Sequence, residues 1–415
     1  MTKNTNTLIP EIRFPEFLND GNWEEKKLNK LGNLINGLTY SPTDIREKGL
    51  LVLRSSNVQN GQIVLNDCVY VTPEIKGANL TKEDDILVCI RNGSKALIGK
   101  NAIIPKDIQL ATHGAFMTVF RAEHPKFVFQ LFQTDTYNNQ VNADLGATIN
   151  SINGKNFLKY KFLVPKPLEQ QKIASCLSSL DELIVAHNQR LDVLKDHKKG
   201  LMQNLFPQEG ETIPKYRFPE FLNDGPWEEK KLNKLGNLIN GLTYSPNDIR
   251  EKGLLVLRSS NIQNGQIVLN DCVYVTPEIK GANLTQENDI LVCIRNGSKA
   301  LIGKNAIIRK AIQLATHGAF MTVFRAEHPK FVFQLFQTDA YNKQVNADLG
   351  ATINSINGKN FLKYKFIVPK PQEQQKIASC LSSLDELISA QSEKIEQLKL
   401  HKKGLMQGLF PKINY

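Results

Sequence analysis

Apolar residues recur at alternating gaps of four and three through residues 168–206: Ile173, Leu177, Leu180, Ile184, Leu191, Leu194, Leu201 and Leu205. Only His187 and Lys198 interrupt the stripe with polar side chains, so the spacing predicts one long helix with a single apolar face. Val164-Pro165-Lys166-Pro167 sets prolines just ahead of it, where a helix start tolerates them. A second stripe, Ile377, Leu381, Leu384, Ile388, Ile395, Leu398, Leu405 and Leu409, carries Gln391 and Lys402 in its gaps. A helix of about 38 residues rises roughly 57 Å, more than one small domain covers. The two helices are therefore expected to pair as an antiparallel coiled coil with internal pseudo-two-fold symmetry; folding back of each on its own domain is the alternative. His187 and Gln391 either fix the register or are tolerated defects. Gly200 and Gly404 are expected to loosen the last turns.

Upstream of each stripe the pattern shortens. Leu50–Arg54, Gln62–Leu65, Ile86–Arg91 and Phe116–Arg121 read as strands, bounded by Asn60-Gly61, Asn92-Gly93 and His113-Gly114 turns. Lys126–Asn139 is the best helical stretch there. This is an α/β (α+β) domain whose strand order the pattern leaves open.

The unit is written twice. Residues 11–207 recur as 215–411 without insertion or deletion and differ at 23 of 197 positions. Ten differences fall between Arg13 and Pro167, nine between 185 and 196, so each unit joins a closely repeated domain to a drifting tail. Expected boundaries are a flexible stretch 1–12, a domain 13–167, a helix 168–206, a linker 207–216, a domain 217–371 and a helix 372–410.

Composition excludes some classes. At 41% hydrophobic and 22% charged residues the chain is that of a folded protein. The start MTKNTNTL lacks the features of an export signal and no run reaches 18 apolar residues, so a cytoplasmic protein with no membrane partner is expected. Cys68, Cys89 and Cys176 recur as Cys272, Cys293 and Cys380 with no CxxC spacing, as free buried thiols would. A net charge of +11 and a pI near 9.2 favour an anionic partner. Two like domains on a rigid rod would read inverted half-sites on a duplex at a fixed spacing.

The segment Gly146-Ala147-Thr148-Ile149-Asn150-Ser151-Ile152, then Val164 to Ala174 (VPKPLEQQKIA), then Leu180-Asp181-Glu182-Leu183-Ile184, together with its copy at 350–388, resembles the end of a target-recognition domain entering the spacer helix of type I restriction-modification specificity subunits. Arg13-Phe14-Pro15-Glu16-Phe17 with Trp23, Leu53-Arg54-Ser55-Ser56-Asn57, and Asp85-Ile86-Leu87 ahead of Arg91-Asn92-Gly93-Ser94 are similar to that family too. The resemblance spans essentially the whole chain. It implies two target-recognition domains, two spacer helices and a DNA-reading subunit without chemistry or cofactor of its own. It also implies two adenine methyltransferase subunits as partners, joined in the complete complex by restriction translocase subunits. In that family the two domains normally differ; here they are nearly alike, which implies a bipartite, near-palindromic site. The helix ends, Lys195 to Phe206, are either frayed or, as the resemblance suggests, places where methyltransferase subunits dock.

Base readout needs side chains that pair donors and acceptors, above all Arg with guanine and Asn or Gln with adenine. Turn-rich loops carry these types: Tyr40; Arg54, Ser55 and Asn57; Arg91, Asn92, Ser94 and Lys95; Thr148, Asn150 and Ser151 with Lys155. Their counterparts are Tyr244; Arg258, Ser259 and Asn261; Arg295, Asn296, Ser298 and Lys299; Thr352, Asn354 and Ser355 with Lys359. Lys95, Lys100, Lys155 and Lys159 suit phosphates.

Two other functions stay open. Asp67 followed by Glu74-Ile75-Lys76, repeated as Asp271 and Glu278-Ile279-Lys280, has the carboxylate and lysine content of a magnesium nuclease, although Thr72-Pro73 interrupts the strand such a site needs. A coiled-coil scaffold binding protein is the other. The chain carries no Asn/Asp-Pro-Pro-Tyr/Phe motif, and Gly93 to Asn101 fails as a phosphate loop in both spacing and its last residue. His113 has no Cys or His at ligand spacing, so no metal site is expected.

Overall fold

The computed structural model describes residues 8–108, 110–145, 150–310, 312, 314–350 and 354–411. They form two compact units: one runs to Asn188 and adds the chain from Glu393 onward, the other spans Gln189–Ser392.

In the first unit the strands are β1 (Glu24–Lys27), β2 (Gly32–Asn36), β3 (Ile45–Arg46), β4 (Leu50–Leu53), β5 (Val58–Gln59), β6 (Gln62–Ile63), β7 (Val69–Val71), β8 (Ile86–Cys89), β9 (Asn101–Ile103), β10 (Ala111–His113), β11 (Met117–Ala122) and β12 (Lys161–Val164). One sheet has the order β2-β11-β8-β9, a second β10-β4-β7-β3, and β1-β12 and β5-β6 stand as pairs. All neighbours are antiparallel except β10 and β4. In the β5-β6 hairpin Asn60 and Gly61 both have positive φ (51° and 78°), the geometry a two-residue hairpin loop requires.

Side-chain alternation divides the core in two. Ile86 and Val88 of β8 and Phe120 of β11 face an aromatic cluster containing Trp23, Phe127, Phe132, Tyr137 and Phe157. Leu87 and Cys89 of β8 and Val119 of β11 face a second cluster, with Leu51 and Leu53 of β4. Both faces of β8 are thus covered, which is why it reads as an unbroken apolar run.

The helices are α1 (Pro125–Leu131), α2 (Asp135–Leu145), α3 (Gly154–Phe157) and α4 (Pro167–Leu205), repeated as α5 (Pro329–Leu335), α6 (Asp339–Gly350), α7 (Gly358–Phe361) and α8 (Pro371–Leu409). The single helix expected over 126–139 is two. Thr134 Oγ1 donates to the Leu131 carbonyl at 2.7 Å, and Phe132 stacks on Tyr137 across the break (4.7 Å between centroids). Thr134-Asp135 is a helix-start pair that the apolar pattern concealed.

The long helices meet the domains at both ends. At the start of α4, Glu169 is 1% exposed and takes a bidentate bond from Arg13 (2.8 and 2.7 Å) and another from Trp23 Nε1 (3.3 Å). The Arg13 and Trp23 motifs therefore serve to hold this helix. Within the first unit, Ile173 and Leu177 of α4 share the aromatic core with Leu405, Met406, Leu409 and Phe410, while Lys402 Nζ reaches Asp181 (2.6 Å). Numbering rises on α4 as it falls on α8, so the segments run antiparallel. Gln130 Nε2 of α1 donates to the same Asp181 (3.0 Å). The second unit repeats this with Leu201, Met202, Leu205 and Phe206 in its core, and with Lys198 and Gln334 both bonded to Asp385 (2.7 and 2.6 Å).

None of the twelve residues expected to pair the helices is exposed: Ile173, Leu177, Leu191, Ile377, Leu381, Ile395 and Leu398 are buried, and Leu180, Ile184, Leu194, Leu384 and Ile388 half-buried. Off the stripe, Leu183, Val193, Leu387 and Leu400 are exposed. Two expectations are corrected. Both helices continue through Gly200 and Gly404, and their ends are not frayed, because Leu205, Phe206, Leu409 and Phe410 lie in domain cores, while Lys195, His197, Lys199 and Gln203 on the same stretch are exposed. Packing of the terminal aromatics outweighs the glycine penalty of about 1 kcal/mol.

Phe410 lies against Trp23 and Phe127 (centroids 6.2 and 5.9 Å). Phe410→Ala is expected to destabilise the first unit by about 3–5 kcal/mol, read from Trp23 fluorescence during urea unfolding in a Trp227→Phe background. A loss under about 1 kcal/mol would contradict the packing described.

Candidate nucleic-acid interface

One turn organises the candidate loops. Met117 N donates to Gly114 O (2.8 Å), closing Gly114 to Met117 into a tight turn that His113 leads into. Three segments are bonded to it: Leu38 N to His113 O (2.7 Å) with Ala115 N to Leu38 O (2.9 Å); Gly114 N to Leu53 O (3.0 Å); and Ile90 N and Arg91 N to Phe116 O (3.0 and 3.1 Å). The first approach needs Gly37, since a Cβ there would stand 2.2 Å from Gly114 O. Tyr40, Arg54 and Arg91 each follow within two residues of a segment held this way.

Side chains complete the grouping. Asn92 Nδ2 donates to Ser55 Oγ (3.0 Å), Asn150 Nδ2 to Gly93 O (3.1 Å), and Arg91 and Ser151 form an antiparallel bridge. The loops at 54–57, 91–95 and 150–151 thus become one surface. The second copy repeats it: Asn296 Nδ2 to Ser259 Oγ (3.0 Å), Asn354 Nδ2 to Gly297 O (3.2 Å), and an Arg295–Ser355 bridge.

On that surface Arg91, Ser94 and Lys95 are exposed, as are Arg295, Ser298 and Lys299. Lys155 and Lys359 are exposed on α3 and α7. Ser55, Asn92, Asn150 and Ser151 are half-buried, as are Ser259, Asn296, Asn354 and Ser355. Thr148 and Thr352 lie outside the described residues. Asn57 and Asn261, expected to face bases, are fully buried instead. Asn57 accepts from Arg54 N (2.9 Å) and donates to Val64 O and Asp67 O (2.9 and 3.0 Å), so its amide is consumed in shaping the loop. Arg54 and Arg258 reach Asp67 and Asp271 at 2.7 Å; base readout by either requires releasing that pair. Tyr40 and Tyr244 are half-buried against small clusters around Leu38 and Leu242.

The pattern also missed a residue. Phe116, read as the start of a strand, is an exposed turn residue with the Arg91 guanidinium 5.8 Å from its ring centroid, and Phe320 and Arg295 repeat the pair. A Gly immediately ahead of the apolar run was the available signal.

The ten differences between the domains are Asn22/Pro226, Thr43/Asn247, Val58/Ile262, Lys82/Gln286, Asp84/Asn288, Pro105/Arg309, Asp107/Ala311, Thr136/Ala340, Asn139/Lys343 and Leu163/Ile367. None is in the loops at 54–57, 91–95 or 150–151, nor in the 113–117 turn. Three have a visible structural consequence: Thr43 Oγ1 bonds Ser41 Oγ (2.6 Å) where the second copy has Asn247; Lys343 pairs with Glu209 where the first copy has Asn139; and Arg309 Nη2 reaches Ser389 Oγ (3.5 Å), to which Gln266 also donates, whereas the first copy has Pro105 and Val185.

Of the acidic groups suspected of holding magnesium, one is engaged by an arginine and the other stands on an exposed turn. Asp67 is paired with Arg54, and Glu74 is exposed on a turn closed by Ile75 N to Thr72 O (3.1 Å). Asp85, 2% exposed, is clamped by Arg121 Nε and Nη2 (2.7 and 2.6 Å). Among the described residues no helix is long and apolar enough to cross a membrane.

The sequence model of the type I restriction modification DNA specificity domain matches residues 20–196 and again 224–400. The chain is 27% identical over 311 residues to the EcoKI specificity subunit of Escherichia coli strain K12, covering 69% of this chain and 64% of that protein. It is 27% identical over 277 residues to the MjaVIII specificity subunit of Methanocaldococcus jannaschii, covering 64% of each. Both matches thus span somewhat under two thirds of those relatives. With the putative MjaX specificity subunit of the same organism it shares 26% identity over 405 residues, 93% of this chain and 92% of that one. Among solved structures, the type I restriction-modification S subunit from M. genitalium shares the fold, with a TM-score of 0.68 at 16% identity over 98% of this chain and 100% of that one.

His113 and His317 sit beneath the turn, fully buried, with Nε2 on the Ile35 and Ile239 carbonyls (3.0 Å each). Burial pushes both imidazoles below their ordinary range; the carbonyl bond and Asp85 or Asp289 oppose this only in part. The unfolded chain therefore binds protons that the folded one refuses. Stability from this source is complete above about pH 6.5 and falls as pH drops below it, by up to about 1.4 kcal/mol per pH unit per histidine. Urea unfolding between pH 7.5 and 5 should show the loss, and His113→Gln with His317→Gln should flatten it. An unchanged slope would show that other groups set the acid limit.

Proposed function

Because the chain belongs to the family of type I restriction-modification DNA specificity domains, carried here in two copies, we propose that it is the DNA-recognition subunit of a type I restriction-modification complex. It reads double-stranded DNA and directs two adenine methyltransferase subunits, and restriction subunits where they are present, to a bipartite site. It contributes position and specificity, and the transfer and cleavage chemistry belongs to its partners. A subunit acting on host DNA works in the cytoplasm.

One observation carries the reading of the site. In both domains the same loops converge around the same turn, and no difference between the domains falls within those grouped loops. Identical donors and acceptors in identical places favour the same bases, so each domain reads the same half-site. Opposed helix direction within each unit favours inverted order. Lys95, Lys155, Lys299 and Lys359 add phosphate affinity that weakens with salt. The nuclease reading loses support from the pairing of Asp67 with Arg54.

Co-expression with its methyltransferase, followed by mapping of N6-methyladenine in host DNA at single-base resolution, tests this. An interrupted motif with inverted halves is expected. Arg91→Ala should relax one base in one half by about five- to a hundredfold, and Arg295→Ala the same base in the other. No new methylation would overturn the assignment, and an asymmetric motif would overturn the identity of the halves.

A further inference from the structure

Turn tips are ordinarily built from Gly, Asn, Asp, Pro and Ser, yet the turn that gathers the candidate loops ends in Phe116, and its copy in Phe320, each 57% exposed. A single exposed apolar residue is unremarked on most surfaces. This one differs in three ways. The turn is held by bonds from Leu38, Leu53, Ile90 and Arg91, so the ring projects from a rigid base. The next residue, Met117, is 1% exposed and anchors the turn to the core. The Arg91 guanidinium stands over the ring, 5.8 Å from its centroid, and Arg295 stands identically over Phe320.

We propose that Phe116 and Phe320 are wedges: each ring inserts at a base step of its half-site and stacks on a base there, beside the base that Arg91 or Arg295 reads. The proposal rests on the DNA-recognition reading and adds a contact to it. Arg and Lys bind phosphates without choosing among sequences, whereas an aromatic ring gains only where bases can be parted, so it favours easily unstacked steps. The pairing with arginine suits this role. The guanidinium covers the ring in water, and on DNA it can move to a base edge as the ring enters the stack. Rigid anchoring matters because a ring on a loose loop would lose to ordering much of what stacking returns.

The test uses the full chain assembled with its methyltransferase on short duplexes carrying the mapped motif, with 2-aminopurine replacing in turn each adenine that is not methylated. The wild-type complex should raise the fluorescence at one step in each half. Phe116→Ala with Phe320→Ala should abolish that rise and weaken binding to the motif by about five- to a hundredfold, leaving affinity for an unrelated duplex unchanged. Phe116→Trp with Phe320→Trp should retain both signals. A retained rise with motif affinity within about twofold of wild type would overturn the wedge, and so would an equal loss on motif and unrelated duplex. If the wild-type complex did not prefer its own motif, the recognition reading would fail and take the wedge with it.

Discussion

The first domain does not close on itself. Its aromatic core takes in Leu409 and Phe410 from the far end of the chain, and a carboxylate on its own long helix, Asp181, is shared between Lys402 and the buried amide of Gln130. Apolar burial supplies most of the favourable free energy, and the charged group supplies direction. A half-buried lysine with its carboxylate removed would be left unpaired, so Asp181 fixes how far α8 slides along α4 within that unit. Glu169 fixes the start of α4 on its own domain, where Arg13 and Trp23 grip it. A recognition surface built on turns needs such a base, because loops hold a geometry only as well as the elements beneath them do.

Legibility from sequence followed the reach of each interaction. The long helices were readable because thirty-nine residues with one apolar face leave a periodic signature that no local accident imitates. The four strands named from sequence are present, but β1, β3, β7 and β12 are short or edge segments whose partners lie far along the chain, and no local pattern marks them. The break between α1 and α2 was hidden because Phe132 continues the apolar spacing while its carbonyl has left the helix. The loss of Asn57 as a base reader is the same lesson: Asn in a polar loop serves a turn or a ligand equally well, and only the positions of Val64 and Asp67 decide. Phe116 went unseen because an apolar residue beside a strand is read as core.

The duplication gives the molecule an internal control. Where the copies agree, a role common to both is at work, and the grouped loops agree throughout. Where they differ, consequences are local, as at Arg309 and Ser389. Val58/Ile262 and Leu163/Ile367 are apolar exchanges on strands, of the kind cores tolerate. For most of the remaining domain differences the structure gives no account.

The central claim is that two domains with the same loops read the same half-site in inverted order. Equilibrium binding of the assembled complex to three duplexes measures it most directly: inverted halves at the mapped spacing, the same halves as a direct repeat, and one half alone. Binding at least about a hundredfold tighter to the inverted arrangement than to either of the others is expected, since only there do both domains engage together. Equal affinity for the inverted and direct arrangements would contradict it.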